Sequence, residues 1–128
     1  MILDSSALVA VFLGEPGAEE LLAKMTASPS LGIGAPTLAE TLLVLTRRLG
    51  GDPTPLLSDL LRDLDATVIS FSEEHSRLAL QAFLRFGKGR HPAALNFGDC
   101  LAYAVAAIAD QPLLFVGEDF SQTDLTAA

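Results

Sequence analysis

The sequence predicts an α/β sandwich built on a mainly parallel sheet. Short apolar runs at residues 1–3, 31–34, 67–71 and 113–116 read as strands. Helical patterns fill the intervals between them, and such alternation marks parallel strands joined by crossovers. The runs are apolar throughout, as strands covered on both faces are. The right-handed crossover rule restricts the topologies further.

Each element has a local cause. Residues 1–3 form a short apolar strand. Residues 6–13 and 16–27 read as helices, the second carrying Leu21, Leu22 and Met25 at helical spacing. The strand at 31–34 follows Ser28-Pro29. Pro36 suits the first turn of a helix over 36–49, and Gly50 stops it. Residues 54–64 form a helix with Leu56, Leu57, Leu60, Leu61 and Leu64 as its stripe. Thr67, Val68 and Ile69 are β-branched and favour a strand over 67–71. Ser72 caps a helix over 73–86, with His75 on its exposed first turn. Residues 87–97 are loop, 98–109 an Ala-rich helix and 113–116 the last strand. The polar tail from Glu118 holds at most one further turn.

A chain of 128 residues with mean hydropathy +0.42 is read as one folded domain, residues 1–128, not as a disordered segment. A domain of this size buries roughly two-thirds of its unfolded surface and folds without disulfide or structural metal. The start lacks the basic region of a signal peptide, and no apolar run reaches the roughly 18 residues of a membrane helix. With Cys100 as the single cysteine, neither an internal disulfide nor a cysteine-based zinc site is possible. These features predict a soluble cytoplasmic protein. The net charge of −8, from 16 acids and 8 bases, is opposite to that of a non-specific nucleic-acid binder.

Asp4, Glu40, Asp99 and Asp119 concentrate the chemical signal. Asp4 follows the first strand and Asp119 the last, and ligands of open α/β sheets bind beyond the carboxyl ends of strands. Glu40 lies near the start of the helix after the second strand. Asp99 opens the helix that feeds the last strand, so its start returns to the same edge. Glu40 neighbours Leu43 and Val44 on its helix face, and Asp99 sits among Phe97, Cys100 and Leu101. Acids in apolar surroundings are costly unless paired or metal-bound, and grouped acids repel. A divalent cation resolves both, and an all-oxygen donor set selects Mg²⁺ or Mn²⁺ over zinc. Taken singly, each acid also has a structural explanation. Asp4 suits a helix cap, Asp99 a helix-dipole partner, and Glu40 a capping-box partner of Thr37.

Longer stretches then match a family pattern. They are Met1-Ile2-Leu3-Asp4-Ser5-Ser6-Ala7-Leu8, Gly14-Glu15-Pro16-Gly17, Ala35-Pro36-Thr37-Leu38-Ala39-Glu40, residues 86–100 including Asn96-Phe97-Gly98-Asp99-Cys100, and residues 114–124. Nearly end to end, the chain resembles the PIN-domain ribonucleases, and within them the VapC-type toxins of toxin–antitoxin pairs. The resemblance implies a three-layer sandwich with a four- to five-stranded mainly parallel sheet. It implies a Mg²⁺-dependent (or Mn²⁺-dependent) endoribonuclease leaving 5′-phosphate and 3′-hydroxyl ends. Asp4, Glu40, Asp99 and Asp119 would form the acidic site, with Ser6 supporting the carboxylates. Asp4 and Asp99 are the expected direct metal ligands, with Glu40 and Asp119 acting through water or a second ion. A VapB-type antitoxin, an RNA substrate and a homodimer follow as expected partners.

Three departures stand out. The last motif reads Gly117-Glu118-Asp119-Phe120, so Glu118 competes for the role of Asp119. Val116 stands where relatives often carry Lys. The chain ends soon after Asp124, so a final edge strand is expected to be missing.

RNA contact would fall to Arg47, on the Glu40 face, and to Arg85, Lys88, Arg90 and His91 before Asp99, unless these are solvated surface charges. The Leu-rich helices at 37–49 and 54–64 are candidate antitoxin or dimer surfaces, unless the core takes them. A non-catalytic PIN-like binding module is the main competing reading. A dehalogenase-type phosphatase would need a second Asp where Ser6 stands. A receiver domain would need a paired acid and a Lys that are absent, and a serine hydrolase a Gly-x-Ser-x-Gly that is absent. Cys100 beside Asp99 is a poor nucleophile and reads as a small buried residue.

Overall fold

The computed structural model describes residues 1–128. Its elements are β1 (Ile2–Leu3), α1 (Ser5–Leu13), α2 (Ala18–Ala27), β2 (Leu31–Gly34), α3 (Ala35–Leu49), α4 (Thr54–Asp63), β3 (Ala66–Ile69), α5 (Glu73–Phe86), α6 (Phe97–Ala109), β4 (Leu113–Leu114) and a 3₁₀ turn at Phe120–Gln122. The strands form one sheet in the order β3-β2-β1-β4, every pairing parallel. The predicted sandwich is therefore observed, with a wholly parallel sheet.

Strand alternation divides the core into two layers. Met1, Leu3, Leu31, Ile33 and Leu114 point to one face, where they pack with Ala7, Leu8, Met25, Leu57 and Leu61. Ile2 and Leu113 point to the other, against Ala102, Tyr103, Val105, Ala106 and Phe120. Gly34 faces this second layer. A Cβ there would stand 2.8 Å from Val105 Cγ2, so the glycine lets α6 approach the sheet closely. Because Val105 is β-branched and buried, Gly34→Ala should cost about 1–3 kcal/mol by overpacking, as read by urea unfolding.

Several boundaries differ from the sequence reading, each for a local reason. The second helix begins at Ala18, because Gly17 has φ +89° and the Ala18 N–H closes a turn onto Glu15 O at 3.0 Å. The last strand stops at Leu114 rather than 116, because the Val116 N–H leaves the ladder and donates to Ser6 Oγ at 3.0 Å. The third strand is Ala66–Ile69, ending short of Phe71, whose ring packs on His75 with centroids 5.0 Å apart.

His75 is not exposed. It is 6% accessible, and its Nδ1 accepts from the Ser72 N–H at 3.0 Å while Ser72 Oγ caps the His75 N–H. It is the third helical residue of a capping box, a position usually given to Glu or Gln.

The missing edge strand survives in reduced form. Leu113 pairs with Ala127 in one parallel bridge, with Leu113 N to Thr126 O and Ala128 N to Leu113 O both at 2.9 Å. The tail thus covers the outer edge of β4. No helix is long and apolar enough to cross a membrane.

Candidate active site

Parallel pairing puts the carboxyl ends of β1, β2 and β4 on one edge. Asp4 follows β1 there and caps α1. Its Oδ2 accepts from the Ser6 N–H at 3.0 Å and from Ser6 Oγ. Ser6 Oγ also accepts from the Val116 N–H, so one hydroxyl ties the Asp4 carboxylate to the chain leaving β4. Glu40 stands in the second turn of α3, which starts directly after β2. Asp99 is the third residue of α6 in a second capping box. The Asn96 Oδ1 accepts from the Asp99 N–H at 2.9 Å, and Asp99 Oδ2 accepts from the Asn96 N–H at 3.0 Å. Asp119 precedes the 3₁₀ turn, which buried Phe120 anchors against Phe115.

These acids share one electrostatic field. Burial first, then Asp4, Asp119 and Glu40 push the Asp99 carboxyl up to about 6, against the hydrogen bond from Asn96. Burial also raises Asp4, aided by Asp119 and opposed by hydrogen bonds from Ser6 and Ser5. None of the four joins a salt bridge. Asp4 is thus the helix cap expected of it. Asp99 lies in the first turn of α6, as expected of a dipole partner, but also closes a capping box. Glu40 does not box with Thr37, because α3 starts at Ala35 with Gly34 as its cap. The Glu118 carboxylate is engaged locally, accepting from Ser121 Oγ at 3.1 Å.

The donor set is all carboxylate oxygen, which suits a hard divalent cation. The field lacks a compensating positive charge, as such a site requires. The carboxylates are grouped but not closed, since no trio of His, Cys, Asp or Glu is arranged to hold a metal ion. Asp4 and Asp99 each use one carboxylate oxygen, Oδ2, in their caps.

Beside the acids lies an open groove of about 1000 Å³ between α3, α5 and α6. Glu40 and Arg47 line it together, on the shared helix face read from the sequence. Its remaining walls are largely apolar, and Leu43, Leu80, Phe83 and Phe97 are solvent-exposed. The fourth helix does not contribute, because Leu57 and Leu61 are buried in the core and only Leu56 of its large stripe residues is markedly exposed. α5 supplies the remaining wall through Leu80 and Phe83, a helix the sequence reading did not single out although Leu80, Phe83 and Leu84 share one side of it.

The PIN-domain family model matches residues 1–125. The chain belongs to the PIN-domain family. Among PIN-domain relatives, it is 49% identical over 126 residues to the VapC ribonuclease Mb2004c of Mycobacterium bovis, covering 98% of this chain and 91% of that one. It is 39% identical to ribonuclease VapC42 of Mycobacterium tuberculosis, covering 100% and 98%. The fold matches M. tuberculosis VapC20, a sarcin-ricin loop cleaving toxin, with TM-score 0.75 at 19% identity over 99% of this chain and 97% of that one. It also matches VapBC2 of Rickettsia felis bound to a promoter DNA fragment, with TM-score 0.75 at 14% identity, covering 99% and 96%. PIN-domain ribonucleases generally depend on a divalent metal.

The basic loop of this PIN domain divides into bound and free cations. Arg85 is held by Asp124 at 3.0 Å, and Tyr103 donates to the same carboxylate at 2.7 Å. Arg85 is thus a clasp between α5 and the tail, not a free cation. His91 accepts from the Ala93 N–H at 3.1 Å and packs edge-on against Phe86, shaping the loop. Arg47, Lys88 and Arg90 carry no ion pair, and Arg90 lies over the Phe83 ring at 5.4 Å. Cys100 is buried, and its thiol is raised by burial and then by Asp99, in line with a packing role.

Proposed function

We propose that this PIN-domain protein is a Mg²⁺-dependent endoribonuclease acting in the cytoplasm as the toxin of a type II toxin–antitoxin pair. The observation that carries the reading is the group of four carboxylates from four separate segments, without a paired cation, in which Asp99 is pushed up to about 6. Asp4 and Asp99 would hold the ion, with Glu40 and Asp119 acting through water or a second ion. Asp119, rather than Glu118, is the fourth acid in this reading, because its charge acts on both Asp4 and Asp99. When bound, the ion supplies Lewis acidity toward water and the phosphate oxygens.

The chain's own residues do the rest. Ser6 fixes the Asp4 carboxylate by two hydrogen bonds and so limits its rotation. The Asn96 cap does the same for Asp99. Asp99 would serve the ion as an ionised carboxylate. Arg47 meets the RNA backbone from the groove wall, and Lys88 and Arg90 from the loop. Arg85 drops out of that set because Asp124 holds its guanidinium, and His91 keeps only Nε2 for RNA because Nδ1 accepts from the Ala93 N–H.

The same groove supports the partner assignments. Solved relatives of this fold include toxin–antitoxin complexes. An apolar face carrying Leu43 at 66% and Phe97 at 82% exposure suits burial against protein. We assign it to a homodimer, with a VapB-type antitoxin covering the acidic edge. Leu43→Asp should convert the dimer to monomer in size-exclusion chromatography with light scattering, without changing the circular dichroism spectrum. An unchanged mass would remove α3 from the interface.

Incubation of the antitoxin-free protein with cellular RNA, with Mg²⁺ or with EDTA, tests the activity. Discrete fragments with 5′-phosphate ends that require the ion support it. Binding without turnover by folded, Mg²⁺-supplied protein would instead mark a non-catalytic module.

A further inference from the structure

Gly98 lies between the groove and the acids, one residue before Asp99. Its backbone is that of an ordinary helical residue, absent from the positive-φ glycines Gly14, Gly17, Gly50, Gly89 and Gly117. Conformational freedom is not the reason for glycine here, and α6 would gain from an alanine. The reason is space. A Cβ on Gly98 would have as its three nearest neighbours the atoms of one group, the Glu40 carboxyl, with Cδ at 2.9 Å and Oε1 at 3.1 Å. At Gly34 the obstacle is a stiff buried valine, and at Gly87 it is the Phe83 backbone and ring. At Gly98 it is the far end of a flexible acid, so the side chain would yield and the backbone would stay.

Glu40 has no hydrogen bond or ion pair of its own to fix it. Asp4 has Ser6 and Asp99 has Asn96, but Glu40 has the bare Cα of Gly98 and the amino end of α6. That end carries partial positive charge, which favours a carboxylate lying against it.

We propose that Gly98 is the positioning residue for Glu40, a steric seat that admits the longer acid into the group of carboxylates. This rests on the reading of Glu40 as a member of the metal-binding acids. The seat is matched to length, because an aspartate at 40 would end one methylene short of it.

The test is a double-mutant cycle of Gly98→Ala with Glu40→Asp, read by Mn²⁺ binding in electron paramagnetic resonance and by melting of the metal-free protein. Gly98→Ala alone should weaken Mn²⁺ binding by about 10-fold or more, the usual scale for an outer residue that orients a ligand. Its melting temperature should hold or rise, since an alanine replaces a helical glycine. In the Glu40→Asp background the same change should cost less than about 2-fold, because the clash is gone.

Unchanged Mn²⁺ affinity in Gly98→Ala, an equal loss in both backgrounds, or a parallel fall in melting temperature would each overturn the proposal. Glu40→Gln separates the two levels. If it weakens Mn²⁺ binding while Gly98→Ala does not, only the seat is wrong. If Glu40→Gln leaves Mn²⁺ binding intact, the membership of Glu40 fails and the seat falls with it.

Discussion

Asp99→Asn is expected to abolish RNA cleavage while leaving the metal-free protein at least as stable as the parent. The carboxylate combines burial with the repulsion of Asp4, Asp119 and Glu40, so a neutral amide removes an unfavourable charge. It also keeps an oxygen for the Asn96 N–H that Asp99 Oδ2 accepts now. The loss of a direct metal ligand removes several kcal/mol of transition-state stabilisation, so activity should fall about 1,000-fold or more. Asp4→Asn should behave alike, since Asp4 is buried, raised in the same direction and held by Ser6. Cleavage of a labelled RNA and thermal melting of the same preparations check both halves. Opposite signs for activity and stability are the mark of a site strained for function. Residual cleavage near the parental rate in Asp99→Asn would remove Asp99 from the site.

Metal stabilisation should disappear on acidification through about pH 6, while the metal-free protein behaves in the opposite sense. The native Asp99 carboxyl sits near 6, above its ordinary 3.8, so the folded protein binds the proton more tightly than the unfolded chain. The stability from this group is therefore complete below 3.8 and lost as pH rises through about 6. Asp4 is shifted the same way. Without metal, these two groups should raise the melting temperature on going from about pH 7.5 to about pH 5. With Mg²⁺ the order reverses, because the ion requires deprotonated carboxylates and competes with the proton. The Mg²⁺-induced rise in melting temperature should be large at about pH 7.5 and vanish by about pH 5, with Asp99→Asn showing none at either pH. A Mg²⁺ effect independent of pH would place the ion away from Asp99.

Local rules account for what was legible in the sequence. Short apolar runs and period-3.6 patterns, with Gly and Pro between them, located the strands and helices within a few residues. Both 31–34 and 73–86 match the observed β2 and α5 bounds. Parallel connection then placed Asp4, Glu40, Asp99 and Asp119 on one edge, since each follows a strand or opens a helix returning from that edge. The misreadings came where a side chain replaced a backbone partner or another residue type did a familiar job. Val116 bonds Ser6 Oγ instead of extending β4, and His75 closes a capping box as Glu usually does.

The sequence by itself determined the fold class, the order of elements and the sheet edge on which the four candidate acids fall, because these follow from hydrophobic patterning and chain connectivity. Only the tertiary structure decided which cations are free and what each acid touches. Arg85 reads as a loop cation until Asp124, 39 residues away, is seen holding it. Gly98 reads only as the first residue of an Ala-rich helix until the Glu40 carboxyl is found against it. Helical periodicity carries no record of such contacts. They depend on how α3, α5, α6 and the tail pack in space, where residues far apart in the chain come within the few ångströms over which sterics and hydrogen bonds act.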